Sequence, residues 1–200
     1  MNISFRAFLK NFLIISTFYL FAFFCFYLFL VYSGETQILS TGNFLYWDAM
    51  HFHKIAQNGY EVYSTAFFPL FPLLWKFIGG NVWAAVIMNT GFYFFSFAFL
   101  STLLDLKPKE IVLICSVPSL LFMFLPYSEA VFYLSSVLIL AGYYKKNNWA
   151  IMTGFFLCSF SRPTSSVFIP AIIITEILSS QSPKEIARSE ERRVGKECRL

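Results

Sequence analysis

Seven consecutive residues of this chain, Asp48 to Lys54, carry an acid, two histidines and a lysine. A carboxylate can take a proton from an attacking hydroxyl, and imidazole or ammonium groups can bind a phosphate leaving group. Elsewhere the chain is strongly apolar: 58% of its 200 residues are hydrophobic and only 13% are charged. Ionisable groups are energetically expensive in lipid, so this dense cluster predicts a functional site.

The composition predicts an integral membrane protein. A soluble domain has about twice this share of charged residues, and 27 of the residues here are Phe. The net charge of +4 therefore serves first to orient helices, and no nucleic-acid partner is expected. The four cysteines show no CxxC or paired spacing, so we expect neither a disulfide framework nor a zinc site.

Apolar runs divide the chain into about five to six membrane spans, which predicts an all-α, polytopic helix bundle. The segment at 66–80 is broken by Pro69 and Pro72, and it is expected to lie at the interface or to re-enter the membrane. The predicted spans lie at about 12–33, 81–104, 111–125, 130–144, 148–161 and 166–180.

The basic residues predict the orientation of these spans. They occur on alternate loops, as expected when the N terminus is cytoplasmic. The segment at 34–80 and the turns at Glu129 and Arg162 then share the extracytoplasmic face. The loop residues in question are Arg6 and Lys10, Lys107 and Lys109, and Lys145 and Lys146.

The end of the chain differs from the rest. Residues 183–200 hold ten of the 26 charged residues, and they form either a solvated tail or foreign sequence joined to the gene. The foreign-sequence interpretation is favoured, because residues 188–199 resemble a recurring read-through artefact of assembled genomes. It predicts that residues 1–182 are the N-terminal part of a longer membrane domain.

The residues around Asp48 predict an amphipathic helix over 47–58 that lies on the membrane after the first span. Asp48 and His51 are three apart and share a face, whereas His53 and Lys54 point more toward water. An acid at a helix start is also favoured by the helix dipole, so capping is the alternative interpretation of Asp48. The apolar side comprises Phe52, Ile55 and Ala56, and Gly59 is placed to end the helix.

Four stretches of sequence carry a resemblance to a known family. Their order and spacing over about 40–185 resemble the PIG-V-like family of mannosyltransferases, which belongs to the GT-C membrane glycosyltransferases. The first stretch is the most specific of the four. The stretches are Trp47-Asp48-x-x-His51-Phe52-x-x-Ile55-Ala56-x-x-Gly59-Tyr60, Ala66-Phe67-Phe68-Pro69-x-Phe71-Pro72, Pro126-Tyr127-Ser128-Glu129 and Ser161-Arg162-Pro163-Thr164.

The resemblance implies a reaction. GT-C enzymes move a sugar from a polyprenyl-phosphate donor to an acceptor hydroxyl outside the cytoplasm, and an Asp in the first extracytoplasmic loop is their expected catalytic residue. Carried over, that residue is Asp48, as general base. The acceptor would be a lipid or a glycan, and no cofactor is expected, with metal dependence open. The implied substrate contacts are His51, Arg162 and Lys54 for the phosphate, Tyr127 and Glu129 for sugar hydroxyls, and Trp47 beside the acid.

Simpler roles stay open for several of these residues. Arg162 and Lys54 can extend to lipid headgroups, and Trp47 can anchor the chain at the membrane interface. His53 is expected to be solvated. His51 and His53 are two apart and do not share a helix face, so they make a poor metal pair.

Two other functions are compatible with the sequence. A polyisoprenoid-lipid transporter or flippase would bind headgroups with the same polar residues but perform no chemistry, and a non-catalytic subunit would pack against partner helices. The abundance of Phe, Ile, Asn and Lys is typical of an AT-rich genome, which favours a prokaryotic plasma membrane. A eukaryotic homologue would lie in the endoplasmic reticulum membrane.

Overall fold

The computed structural model describes residues 4–35 and 37–180. The charged tail predicted at 183–200 lies outside these residues. The chain divides into two compact units, one that ends at Arg162 and a second that begins at Pro163. The described residues are helical and contain no strand, so the all-α prediction is confirmed for them.

Seven α-helices belong to the described part of the first unit, and one belongs to the second. They are α1 (Phe5–Tyr32), α2 (Asp48–Asn58), α3 (Leu70–Phe77), α4 (Val82–Leu103), α5 (Pro108–Cys115), α6 (Glu129–Lys145), α7 (Asn148–Ser161) and α8 (Phe168–Ser180). Short 3₁₀ helices lie at Thr41–Phe44, Val62–Ser64, Pro118–Phe124 and Pro163–Val167.

Two of the described helices, α1 and α4, are long and apolar enough to cross a membrane. A third span results if the 3₁₀ helix Pro118–Phe124 and α6, which are bent by 101°, count as one broken span. These helices support a helical membrane protein, as the composition indicates. The larger number of five to six spans stays a prediction.

The span predicted at 111–125 is not one continuous helix. α5 begins with Pro108 at its first position, where the missing proline N–H costs no helical hydrogen bond, and it ends at Cys115. Val117 then adopts an extended conformation, which is favoured before proline, and Pro118 starts the 3₁₀ helix. The apolar run at 111–125 is continuous in composition, but Pro118 interrupts the helix within it.

An aromatic core fixes α1 against α4 and α5. The hydroxyls of Tyr19 and Tyr93 lie 2.9 Å apart, and the Tyr19 hydroxyl also donates to the carbonyl of Cys115 at 3.1 Å. The ring of Phe124 packs against both tyrosines. A buried hydroxyl needs such partners, because it would otherwise lose its hydrogen bonds to water.

α2 packs its apolar side onto α3, as the amphipathic pattern predicts. Phe52 is buried and makes edge contacts with the rings of Phe67 and Phe71. Trp75 is completely buried in the same cluster and donates from its indole N–H to the carbonyl of Asn81 at 2.9 Å. With eight residues, α3 is too short to span a bilayer.

Two glycines allow α6 and α7 to approach closely. A Cβ atom on Gly154 would lie 2.6 Å from the Ile139 side chain and 2.9 Å from its backbone nitrogen. A Cβ atom on Gly142 would lie 2.7 Å from the backbone nitrogen of Ile151. Small residues at a helix interface let backbones meet in this way. The antiparallel pair thereby places the start of α6 beside the end of α7.

We predict that Gly154→Ala destabilises the protein, because its Cβ would overlap backbone atoms that cannot move aside. Overpacking of this kind costs about 1–3 kcal/mol. The matched control is Gly91→Ala in α4, where the added Cβ meets nothing within 4 Å. Thermal unfolding in detergent should show a lower Tm for Gly154→Ala alone. Equal Tm values for the two variants would contradict the proposed close packing.

Candidate functional site

Asp48 is the first helical residue of α2 and its side chain is exposed. The residue at the N-cap position is Trp47, and the start of α2 has no side-chain capping hydrogen bond. Capping therefore does not account for Asp48, although a carboxylate in the first turn is still favoured by the helix dipole. The next residue, Ala49, is fully buried and fixes the start of the helix against the protein.

The backbone just before Asp48 is strained. Trp47 has φ 49° and ψ −124°, a backbone conformation that residues other than glycine rarely adopt. The carbonyl of Tyr46 accepts two hydrogen bonds, from the N–H of Ala49 at 3.1 Å and from the hydroxyl of Tyr127 at 3.3 Å. Strain of this kind persists only where surrounding contacts enforce it, and it is common at functional sites.

An ion pair joins the start of α6 to the end of α7. The Nη2 atom of Arg162 lies 2.9 Å from Oε1 of Glu129. The two side chains are 35% and 22% exposed, so the pair lies at the edge of the packed helices. The second carboxylate oxygen of Glu129, Oε2, is buried and has no hydrogen-bond partner within the described structure. This oxygen is a free acceptor beside a fixed cation.

Asp48 lies in the same polar cluster as this pair. The Tyr127 phenol interacts electrostatically with both Asp48 and Glu129, and Glu129 interacts with both Asp48 and Arg162. Tyr127 itself is buried. The structure thus brings together four of the residues that the sequence predicts for the site, from three separate stretches of chain: Asp48, Tyr127, Glu129 and Arg162.

His51 and Lys54 belong to a different part of α2. Both are exposed, and together they line a shallow depression of about 150 Å³. The His51 ring stacks on Phe67 at 4.9 Å between ring centroids. Neither side chain bonds to Asp48 or to Glu129 in the described part of the chain. Trp47 lies beside Asp48, as predicted, and is 73% exposed.

The prediction that His53 is solvated is wrong. Its ring is half-buried and lies 5.0 Å from the Trp75 ring, while Nε2 is 2.9 Å from the side-chain nitrogen of Gln57. Burial lowers the pKa of His53 below its usual value. The helical pattern of α2 placed this residue on the polar side, but α3 covers part of that side with Trp75.

Asn89 supports the site from within α4. It is completely buried, and its side-chain nitrogen donates to the carbonyls of Leu125 and Tyr127. These bonds hold the turn that carries Tyr127 in front of α6. Asn89 was not among the residues that the sequence predicted for the site. A polar residue inside an apolar span was the available signal, but nothing identified the turn as its partner.

The cluster can act as an acid–base site with a fixed cation beside it. An exposed carboxylate is accessible to a hydroxyl, and the guanidinium of Arg162 keeps donors beyond the one used by Glu129. Within the described residues, no group of three or more His, Cys, Asp or Glu side chains could hold a metal ion.

Comparison with known proteins identifies no relative of this chain. No family model, no curated protein and no solved structure matches this chain.

We predict that Tyr127→Phe loosens the start of α2, because the variant loses the hydrogen bond to the Tyr46 carbonyl. One such bond contributes about 0.5–1.5 kcal/mol to stability. Hydrogen exchange of the Ala49 amide, which donates to the same carbonyl, should become faster. Tyr60→Phe is the matched control, because Tyr60 also donates to a carbonyl, that of Phe67. Equal exchange at Ala49 in all three proteins would contradict the proposed support.

We also predict that Glu129 and Arg162 are energetically coupled. Glu129→Gln and Arg162→Gln should each lower the free energy of unfolding by about 1–2 kcal/mol, the range for a half-exposed pair. The double variant should lose less than the sum, because neither charge is then left unpaired. Denaturant unfolding of the four proteins in detergent measures this coupling. Additive losses would show that the ion pair contributes nothing.

Proposed function

We propose that this chain is a membrane glycosyltransferase of GT-C type. It would move a sugar, mannose by its resemblance to the PIG-V-like family, from a polyprenyl-phosphate donor to the hydroxyl of a lipid or glycan acceptor. One observation carries the proposal most directly: the exposed carboxylate of Asp48, at a strained helix start, shares a polar cluster with Tyr127, Glu129 and Arg162.

Asp48 is the general base in this proposal. The acceptor oxygen attacks the anomeric carbon and its proton passes to the Asp48 carboxylate. The bond between that carbon and the phosphate oxygen breaks, and its electron pair leaves with the lipid phosphate. The exposure of Asp48 suits this role, because both the acceptor and the donor must reach it.

Arg162 and Glu129 bind substrate in this proposal. Glu129 fixes one nitrogen of the guanidinium, and the remaining N–H groups are donors for the departing phosphate. The carboxylate of Glu129, whose side chain is 22% exposed, accepts a hydrogen bond from a sugar hydroxyl. A preorganised cation of this kind stabilises the charge that develops as the bond breaks.

Tyr127 supports the position of Asp48 in this proposal. Its hydroxyl donates to the Tyr46 carbonyl and so holds the backbone before Asp48, while the phenolic oxygen keeps an acceptor site for a sugar hydroxyl. Trp47 contributes an exposed aromatic surface beside the acid, where a sugar ring or the membrane interface can pack. His51 and Lys54 lie outside the cluster and take no part in the proposed step.

The position of the spans determines which membrane surface carries the site and which lipid substrates can reach it. If α1 and α4 both span, the segment from Ser33 to Asn81 emerges on one surface together with Asp48. The alternation of basic loops makes that surface extracytoplasmic. A multi-pass position in a prokaryotic plasma membrane, or in the endoplasmic reticulum membrane of a eukaryote, would then present the site to lipid-linked donors.

We predict that Asp48→Asn lowers sugar transfer by about 100- to 10,000-fold, the contribution typical of a general base. Membranes from cells that express the gene would be given polyprenyl-phospho-[14C]mannose, and the label in lipid and protein acceptors would be counted. Asp105→Asn, which changes an exposed acid just after the end of α4, is the matched control and should keep full transfer.

Two outcomes would defeat the proposal. Equal transfer by the wild type and Asp48→Asn would remove Asp48 from the reaction. No transfer by any correctly inserted variant would favour lipid transport or a subunit role over catalysis.

A further inference from the structure

The depression beside α2 is separate from the cluster around Asp48. Its polar lining comes from His51, Lys54, Glu61 and Ser64, and Ile55 and Gly59 complete it. None of the four residues of the Asp48 cluster lines this depression. The proposed transfer reaction therefore leaves its polar groups without a role.

The walls of this depression are held in place. His51 stacks on Phe67, and Gly59, with φ 85°, ends α2 while its N–H donates to the carbonyl of Ile55. The N–H of Glu61 donates to the hydroxyl of Ser64 at 2.7 Å, and that hydroxyl donates back to the Glu61 carbonyl at 2.9 Å. The charged side chains thus project from fixed backbone.

Two opposite charges line the depression without neutralising each other. Within the described residues, neither the ammonium of Lys54 nor the carboxylate of Glu61 forms an ion pair, and both side chains are exposed. The negative end of α2, at Gly59, adds to the negative side of the depression. A ligand with one anionic and one cationic group would satisfy both sides.

The position of the depression indicates the source of such a ligand. It lies on the segment between α1 and α4, two described helices long enough to span, and it lies at a membrane surface if both of them do. Exposed aromatic side chains at Tyr32, Trp47 and Tyr60 are typical of the headgroup layer. Lipid phosphates lie at that depth.

We infer that this depression binds the zwitterionic headgroup of an aminophospholipid. Lys54 and His51 hold the phosphate, and Glu61 with the last carbonyls of α2 holds the ammonium. The inference depends on the membrane position of α1 and α4 and does not depend on sugar transfer. A bound lipid would fix α2, and with it Asp48, at a set depth in the interface.

Native mass spectrometry of the purified full chain in a maltoside detergent tests this inference. The probes are short-chain phosphatidylethanolamine and phosphatidylglycerol, which has the phosphate but no ammonium. The variants are Lys54→Gln and Glu61→Gln. Lys76→Gln on α3 is the matched control, because it removes an exposed positive charge that does not line the depression.

The wild type should bind phosphatidylethanolamine more tightly than phosphatidylglycerol. Lys54→Gln and Glu61→Gln should each weaken phosphatidylethanolamine binding by about three- to tenfold, as expected for the loss of one charged contact. Glu61→Gln should not weaken phosphatidylglycerol binding, and Lys76→Gln should leave both lipids unchanged. Because the substituted side chains are exposed, unaltered circular dichroism is expected for every variant.

Three results would overturn the inference. Equal losses in Lys54→Gln and Lys76→Gln would indicate a diffuse basic surface, and equal binding of the two lipids before and after Glu61→Gln would exclude recognition of the ammonium. Displacement of the lipid by an equal concentration of glycerophosphoethanolamine would identify a soluble headgroup, rather than a lipid, as the ligand. Each result is independent of Asp48 and of sugar transfer.

Discussion

The close approach of α6 and α7 determines where the polar cluster of this protein can form. Gly142 and Gly154 leave no room for a side chain at the contact, so the two helices pack backbone to backbone. Because the pair is antiparallel, Glu129 at the start of α6 meets Arg162 at the end of α7. A larger residue in the contact would separate the two charges, and each would then need a new partner in apolar surroundings.

A second set of contacts connects the α6–α7 pair to the backbone before Asp48. Asn89, buried in α4, holds the turn before α6 through the carbonyls of Leu125 and Tyr127. Tyr127 then donates to the Tyr46 carbonyl, two residues before the acid. The strained backbone at Trp47 is held on one side by that hydrogen bond and on the other by the buried residue Ala49. The position of the carboxylate therefore depends on residues far from it in sequence.

Much of this arrangement could be predicted from the sequence, because it follows from local patterns. Long apolar runs gave α1 and α4, and the spacing of Phe52, Ile55 and Ala56 gave the buried side of α2. The alternation of basic loops predicts that Asp48, Glu129 and Arg162 share one membrane face, and this topology stays a prediction. The structure brings these three residues into one electrostatic cluster.

The features that the sequence did not predict depend on tertiary contacts, which leave no pattern in the neighbouring residues. Pro118 breaks an apolar run that composition alone presents as continuous, and Trp75 covers His53 from a neighbouring helix. The partner of Tyr127 is a backbone carbonyl, which any residue type supplies, so no sequence pattern could reveal it. The predictions therefore failed where tertiary packing replaced helical periodicity as the deciding factor.

The short helix α2 connects the two polar regions of the protein. Its first residue is the acid of the cluster, and its later turns line the depression with His51, Lys54 and Ile55. Phe52 and His53 of this helix pack on Phe71 and Trp75 of α3, so aromatic contacts hold α2 between its two ends. A lipid headgroup held at one end would thus constrain the acid at the other. This coupling requires no conformational change, only that α2 stays helical between Asp48 and Asn58.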